Sequence, residues 1–423
     1  MTDTSVYLHI PFCVHRCAYC DFNTYAGQEA LIPAYMNALI REIETVAALQ
    51  PHPVPVHTIF FGGGTPSLVP TRHLSAVMDA LRHAFALSSN LEATLEANPG
   101  TVSAESLIEM RAAGLNRLSF GVQSANPSEL RMLERAHDFI EVIQSVKWAR
   151  QAGFERLNLD LIYGLPEQSL ASWQNSVKRI TDLAPDHISM YGLTLEHGTP
   201  FGRWAARGLL PIPDPDLAAE MYEWAAEYLA NIGYAQYEIS NWAFPGQESR
   251  HNLQYWRNLP YFGFGAGAHG SIDGLRYSNV LRIKTYIERL SAPSSVSIRE
   301  SVIESVDQSV SARESVTKSV DQSVPVRESV TKSAFSPALV NQQRPSPRES
   351  MQETMMLGLR LVQEGVSDET FRARFGLGIA EAFPREVADL TRLGLLEWQN
   401  GALRLTPHAR LIGNQVFLRF VGD

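Results

Sequence analysis

Cysteine is almost missing from this chain. Its 423 residues include three, and so few thiols, odd in number, exclude a fully paired disulfide framework. Long apolar runs are missing too. No stretch of about 18 apolar residues occurs, so no membrane-spanning helix is expected, although peripheral membrane association stays open. The opening MTDTSVYLHI lacks the basic and apolar regions of a signal peptide. These absences predict a cytoplasmic location, where thiols stay reduced. Basic charge is in short supply: 36 Lys and Arg against 45 Asp and Glu leave a net charge of −9. A broad nucleic-acid footprint needs clustered Lys and Arg, so no nucleic-acid partner is expected.

What is present is a regular alternation. Apolar, β-branched runs recur as VYLHI at 6–10, VHTIFF at 56–61, LEATLEA at 91–97, NRLSFGV at 116–122, RLNLDLIYG at 156–164 and HISMYGL at 187–193. Helical patterns lie between them. IPAYMNALIREIETVAALQ sets Tyr35, Leu39, Ile43 and Val46 on one face. SAESLIEMRAAG begins on Ser103 as N-cap, carries Ser106 where a capping box has Glu, and ends on Gly114. Six strands alternating with helices predict an α/β fold with a parallel sheet and right-handed crossovers. Six units are too few for an eight-fold barrel, so the expectation is a partial (βα)6 barrel. Its chemistry would gather at the C-terminal strand ends, where the Cys-rich, Gly-rich and polar residues fall.

The pattern changes after about residue 200. A helix is expected at 215–233, then a strand in YAQYEISNWA, then the Gly- and aromatic-rich HNLQYWRNLPYFGFGAGAHG. VDQSVSARESVTKS at 306–319 recurs as VDQSVPVRESVTKS at 320–333. Val302, Val306 and Val310 share a helical face, but Ser and Val are mediocre helix formers and Pro325 interrupts the second copy. The span 291–348 therefore reads as a low-complexity insert, disordered or marginally helical. Further on, LEWQNGALRLTP has a hairpin signal at Asn400 and Gly401. With a helix at about 385–394, it predicts a small winged-helix-like unit. The expected divisions are a core at 1–235, an extension at 236–290, the insert at 291–348 and the small unit at 349–423.

All three cysteines lie in HIPFCVHRCAYCDF at 9–22, as Cys13, Cys17 and Cys20 in the spacing C-x3-C-x2-C. Three close thiols read first as a metal site. One reading is zinc, with His9 or His15 as fourth ligand, although structural zinc usually draws on two separate ligand pairs. Another is inert buried thiols. A third is a [4Fe–4S] cluster, which three thiolates hold with one iron left open. Tyr19, between two of the thiols, would lie against such a cluster or its ligand.

With its aromatic residue before the last cysteine, this loop resembles the radical S-adenosylmethionine (SAM) superfamily, in which SAM chelates the open iron. FFGGGTPS at 60–67 is similar to that superfamily's glycine-rich strand end. LEANPG, NRLSFGVQS, RLNLDLIYGLP and HNLQYW resemble a narrower group, the oxygen-independent coproporphyrinogen III oxidase-like proteins. The resemblance covers roughly 5–290 and, more loosely, 351–420. It implies a radical-SAM barrel with a [4Fe–4S] cluster on Cys13, Cys17 and Cys20. It implies SAM contacts from Tyr7, Tyr19, Gly63, Gly64, Thr65 and Glu96, with Gln123, Arg135 and Asp160 lining the pocket. Thr194 and the backbone at 266–268, including Ala268, would surround the adenosine.

Within that group, the resemblance points to a haem-chaperone-like branch. The oxidases carry a further Cys where this chain has Phe22, and an extension before the first strand, which here starts by about Ser5. HNLQYW supplies His251, Asn252, Tyr255 and Trp256, with His251 as axial haem ligand, Tyr255 and Trp256 as macrocycle walls, and His269 as the rival ligand. The bland alternative is an aromatic core cluster around a hydrogen-bonded histidine. The implied partners are haem, a haem-acceptor protein, and an electron donor of flavodoxin or ferredoxin type. Decarboxylation of coproporphyrinogen is the competing activity, and radical-SAM modification of RNA is disfavoured by the acidic balance.

Overall fold

The computed structural model describes residues 4–291 and 335–421; the tandem repeat at 306–333 lies outside them. The six expected strands form as β1 (Thr4–Ile10), β2 (Pro55–Gly63), β3 (Ala86–Ala97), β4 (Arg117–Gln123), β5 (Arg156–Tyr163) and β6 (His187–Gly192). They pair in parallel in chain order. Helices between them complete the βα units of the expected partial barrel. In the crossover at 103–114 the cap is a full box, with Ser106 replacing the usual Glu: the Ser103 side chain accepts from Ser106 N–H and the Ser106 side chain returns to Ser103 N–H.

The sheet is larger than the six units predict. Among the described residues it has 12 strands, because antiparallel strands extend both edges. Beyond β6 lie β7 (Ala235–Glu238) and β8 (Asn241–Ala243). Beyond β1 lie β9 (Tyr261–Phe264), parallel to β1, then β10 (His269–Ile272), β11 (Leu275–Asn279) and β12 (Leu339–Gln343). The last is a correction to the insert. Residues 335–348 fall within the expected low-complexity insert, yet β12 pairs with β11 and Ala338 is fully buried.

The strands alternate in a way that prepares a site. Val6, Leu8, Ile10, Ile59, Phe61, Leu118, Phe120, Leu159 and Leu161 are completely buried in the main core, each contributing about 1.5–3 kcal/mol. The intervening residues Tyr7, Glu96, Ser119, Asp160 and Ser189 turn to the opposite face, where the register places Glu96 beside Ser119 and Asp160 beside Ser189. Parallel strands covered on both faces are usually apolar throughout; this sheet is polar on its inner side.

Residues 346–421 carry their own core, built on Met355, Leu359, Phe371, Phe383, Leu403 and Phe417. A three-stranded antiparallel sheet joins β13 (Val366–Ser367), β14 (Leu396–Gln399) and β15 (Ala402–Leu405). Asn400 and Gly401 both have positive φ, 51° and 77°, as a two-residue hairpin turn of this twist requires. Packed against the helix Pro384–Arg392, this is the arrangement expected of a winged-helix-like unit.

Candidate functional site

The cysteine loop lines one end of a cavity of about 700 Å³ that runs into the polar face of the sheet. Cys13 is buried; Cys17 and Cys20 are half-buried. Burial pushes the Cys13 and Cys20 thiols up, and the neighbouring sulfurs add to that shift. At Cys13 a donor opposes it, Thr65 Oγ1 at 3.7 Å from Sγ; Arg135 Nη1 lies 3.6 Å from Cys17 Sγ. A relay fixes both donors. Arg135 donates to Asn98 Oδ1, and Asn98 Nδ2 donates to Thr65 Oγ1 at 3.0 Å.

Neither histidine named for zinc is free. His9 Nε2 donates to the Asn23 carbonyl at 3.0 Å, which leaves Nδ1 to accept from Tyr7 Oη at 3.0 Å. His15 pairs with Glu134 at 2.8 Å. Among the described residues no three His, Cys, Asp or Glu side chains close around a single ion. Three thiols without a fourth protein donor suit a cluster that leaves one iron for a ligand.

The glycine run is explained by the chain's own crowding. A Cβ on Gly63, whose φ is +113°, would meet the His9 ring at 2.5 Å, and one on Gly64 would meet the Phe12 carbonyl at 2.6 Å. Gly63 N–H donates to Glu96 Oε2 at 3.0 Å. Glu96 is therefore tied to the glycine turn while it faces the cavity. Burial, then the Asp160 charge, raise its pKa to about 7 against the pull of that N–H.

The other expected SAM residues divide. Thr65, Gln123, Arg135, Asp160, Tyr19 and the exposed Thr194 all line the cavity. Gln123 sits at the end of β4 with φ 69°, a conformation that side-chain-bearing residues seldom adopt, and its Oε1 is buried without a partner. Asp160 accepts from Ser119 Oγ and Asn158 Nδ2 at 3.1 and 2.7 Å. Arg135 serves the cysteine loop and the Gly121 carbonyl, and its Nε stays unpaired. Tyr7 lines a second cavity of about 400 Å³ that shares Phe22, Gly63 and Glu96 with the first. Ala268 lines neither: its N–H donates to Gly265 and its carbonyl accepts from Asn279, so hairpin bonds consume the backbone expected at the adenosine.

HNLQYW forms the short helix Arg250–Trp256, which packs against β2. His251 is 1% exposed, stacks on Phe60 with ring centroids 5.0 Å apart, and bonds Thr58 Oγ1 at 2.8 Å and Tyr255 Oη at 2.9 Å. Burial lowers its pKa to about 3, so it is a neutral imidazole with both nitrogens engaged. The expected open axial ligand is, as folded, a hydrogen-bonded core histidine. Tyr255 lines the second cavity, but Trp256 lies under the Arg360 guanidinium, 4.4 Å from its ring centre, away from both cavities. His269 is exposed on the second cavity beside Tyr7, Tyr255 and Tyr261, and among the described residues no hydrogen bond fixes its ring.

Sequence reasoning passed over Asn98, Arg117, His187 and Tyr191, all of which line the first cavity. The period-2 run Arg117, Ser119, Gly121, Gln123 was the available signal, since polar residues on one face of a central parallel strand need an occupant for that face.

Comparison with known proteins adds the following. The radical SAM superfamily profile matches residues 7–180, and the HemN C-terminal domain profile matches residues 346–412. A heme chaperone HemW from Bacillus subtilis is 37% identical over 420 residues, 99% of each chain. One from Lactococcus lactis is 33% identical over 419 residues, 99% of this chain and 97% of its own. One from Escherichia coli is 40% identical over 270 residues, 63% of this chain and 70% of its own. Among solved structures, the radical SAM enzyme coproporphyrinogen III oxidase HemN from Escherichia coli shares the fold with a TM-score of 0.76. That match covers 99% of this chain and 90% of the other at 23% identity.

Proposed function

The chain belongs to the HemW family of the radical SAM superfamily, and on that premise we propose that it is a haem chaperone, binding haem and passing it to an acceptor protein. Its superfamily implies a [4Fe–4S] cluster and SAM. Cys13, Cys17 and Cys20 hold the cluster, and Glu96 and the Gly63–Thr65 turn receive SAM, with Gln123, Arg135 and Asp160 around it. A cluster with one open iron supplies a binding point for SAM and one-electron chemistry. An electron donor of flavodoxin or ferredoxin type would serve it. The residues' own work is to bind and position: the Arg135–Asn98–Thr65 relay aims donors at the sulfurs, and Glu96 offers a carboxylate to an amine. The observation that carries the reading is the set of three thiols on a polar cavity, with no fourth protein donor among the described residues, in a chain of this family.

The second cavity would hold haem, with His269 rather than His251 as the residue to ligate its iron. His269 has an unfixed ring among aromatic walls, whereas His251 would have to give up two hydrogen bonds inside the core. Phe22, 63% exposed, stands on the wall of both cavities where the oxidases would place a thiol. No helix among the described residues is long and apolar enough to cross a membrane.

The test uses anaerobically reconstituted protein titrated with haem and followed by the Soret band. His269→Ala should weaken binding about tenfold or more and shift the band, with the fold intact. His251→Ala should act mainly on stability. Loss of haem in a stable His251→Ala protein would move the ligand to that residue. Absence of saturable haem binding in the parent, or multiple-turnover protoporphyrinogen formation with SAM and a reductant, would refute the chaperone reading.

A further inference from the structure

Asn98 stands one residue past the end of β3, and its backbone is pinned there. Its carbonyl accepts from Thr101 Oγ1 at 2.6 Å and from Thr101 N–H at 3.1 Å, and its own N–H donates to Ser67 Oγ at 3.4 Å. The side chain is thereby held between Arg135 and Thr65 on the wall of the first cavity. The chemistry of its neighbours decides which way the amide faces. A guanidinium has donors and no acceptor, so Arg135 Nη2 must meet the amide oxygen, as it does. The amide nitrogen is then turned to Thr65 and donates to Oγ1 at 3.0 Å. That bond uses the Thr65 hydroxyl as an acceptor, and its single hydrogen is left for Cys13 Sγ, 3.7 Å away. Arg135 completes the set at the next sulfur, with Nη1 3.6 Å from Cys17 Sγ. Its other acceptors are the Asn98 amide and the Gly121 carbonyl, and among the described residues no carboxylate pairs with it. A cation held in this way gains most from negative charge on the sulfurs.

We propose that Asn98 is a positioning residue that sets the reduction potential of the group held by Cys13, Cys17 and Cys20, by directing the Thr65 hydroxyl and the Arg135 guanidinium onto two of the three sulfurs. The inference rests on the reading of these thiols as cluster ligands. One-electron reduction adds negative charge at the sulfurs. Donors and a cation aimed at them therefore favour the reduced form and raise the potential, since hydrogen bonds to sulfur and net charge are among a protein's controls over it. The amide is what lets one side chain serve both donors. A carboxylate in its place still accepts from Arg135, but its second oxygen takes the Thr65 hydrogen, which turns the hydroxyl lone pairs to Cys13. Asn98→Asp thus reverses one donor with almost no change of shape, and it adds a negative charge.

The test is a potentiometric titration of the anaerobically reconstituted full chain, without SAM or haem, followed by electron paramagnetic resonance of the reduced cluster. Asn98→Asp should lower the equilibrium constant for reduction by about tenfold or more, a drop of about 59 mV or more for a one-electron couple. Thr65→Val should lower it about two- to tenfold, the range of one neutral hydrogen bond. Thr65→Ser, which keeps the hydroxyl, should match the parent to within about twofold. The charge added in Asn98→Asp lowers the potential by itself, so a double-mutant cycle separates it from the reversed hydroxyl. In the Asn98→Asp background Thr65→Val should cause no further drop, because the hydroxyl no longer serves Cys13. An equal drop from Thr65→Val in both backgrounds overturns the proposal, as does an unmoved potential in Asn98→Asp. If Asn98→Asp does not fold, Asn98→Ala decides: a smaller Thr65→Val effect in that background supports the proposal, and an equal one overturns it. A parent that takes up no cluster refutes the cluster reading and this inference with it, whereas a bound cluster whose potential ignores these residues overturns this inference alone.

Discussion

Glu96 sits where the two cavities meet, and its pKa of about 7 lies well above the ordinary 4.5. Its folded form therefore binds a proton more readily than the unfolded chain does. The sign follows: without ligand, its ionisation erodes stability as pH rises from about 4.5 to about 7, and the loss is complete above that. A cationic amine in the site reverses the preference, because it needs the carboxylate. SAM affinity should thus rise between pH 6 and pH 8, and Glu96→Gln should weaken binding at pH 8 by about 1.5–3 kcal/mol and remove Glu96's contribution to the rise. Titration calorimetry at both pH values checks this; unchanged affinity in Glu96→Gln removes the residue from the site. The cysteines give a second residue-level prediction. Replacing any one of Cys13, Cys17 or Cys20 with Ala should abolish the anaerobic visible absorbance and the bound iron, since the chain has no substitute thiol. Stoichiometric zinc in the anaerobic parent would count against the cluster.

At the scale of elements, the six parallel strands were legible because each buries one full apolar face, and a period of two survives any detail of packing. The thiol loop stood out because all three cysteines fall in it, but spacing left zinc, inert thiols and a cluster open, and resemblance chose among them. The edge strand β12 was not. LVNQQ is short, mostly exposed and flanked by low-complexity sequence, as an edge strand can afford to be. What holds it is invisible in the sequence: the buried Glu42, on the helix Ile32–Ala48. Its Oε1 accepts from Asn279 Nδ2 and Ser336 Oγ, both at 2.7 Å, and its Oε2 from Gly265 N–H at 2.9 Å and Tyr286 Oη at 2.7 Å. Phe335 stacks on Phe262 beside it. The insert therefore ends before Phe335. Replacing 296–331 with a short Gly-Ser linker should leave melting and ligand binding nearly unchanged, since loop closure varies by only about 0.6 kcal/mol per doubling of length. Extending the deletion to 345 should cost about 3 kcal/mol or more, through the donor lost from Glu42 and the lost edge strand. Equal melting of the two proteins would show that the Glu42 network does not need Ser336.

For the whole molecule, HNLQYW is also a joint, a role its resemblance to a haem motif concealed. Its first residues lie against the barrel strands and its last reach the C-terminal unit. His251 N–H donates to Glu92 on β3, while the Trp256 ring takes the Arg360 guanidinium on its face. Arg360 in turn lies 3.5 Å from Glu238, which is fully buried on β7. Arg257 adds a two-pronged pair with Glu364, and Asn258 donates to Thr354 at 3.1 Å. The exposed Arg257–Glu364 pair holds little by itself, so the tryptophan, with the Arg360 it stacks on, should carry much of the coupling. Trp256→Ala removes a large aromatic contact and a cation–π pair, a loss of about 2–4 kcal/mol. That loss should fall on the junction rather than on either core. The unit built on Met355, Phe371 and Leu403 keeps its own apolar cluster and should unfold as a separate, earlier step. Calorimetric melting should then resolve two transitions where the parent shows one, and limited proteolysis should cut near 344–346 first. Haem affinity at His269 should change by less than threefold, because Trp256 touches neither cavity. A single transition with haem binding abolished would return Trp256 to the haem wall and detach it from the joint.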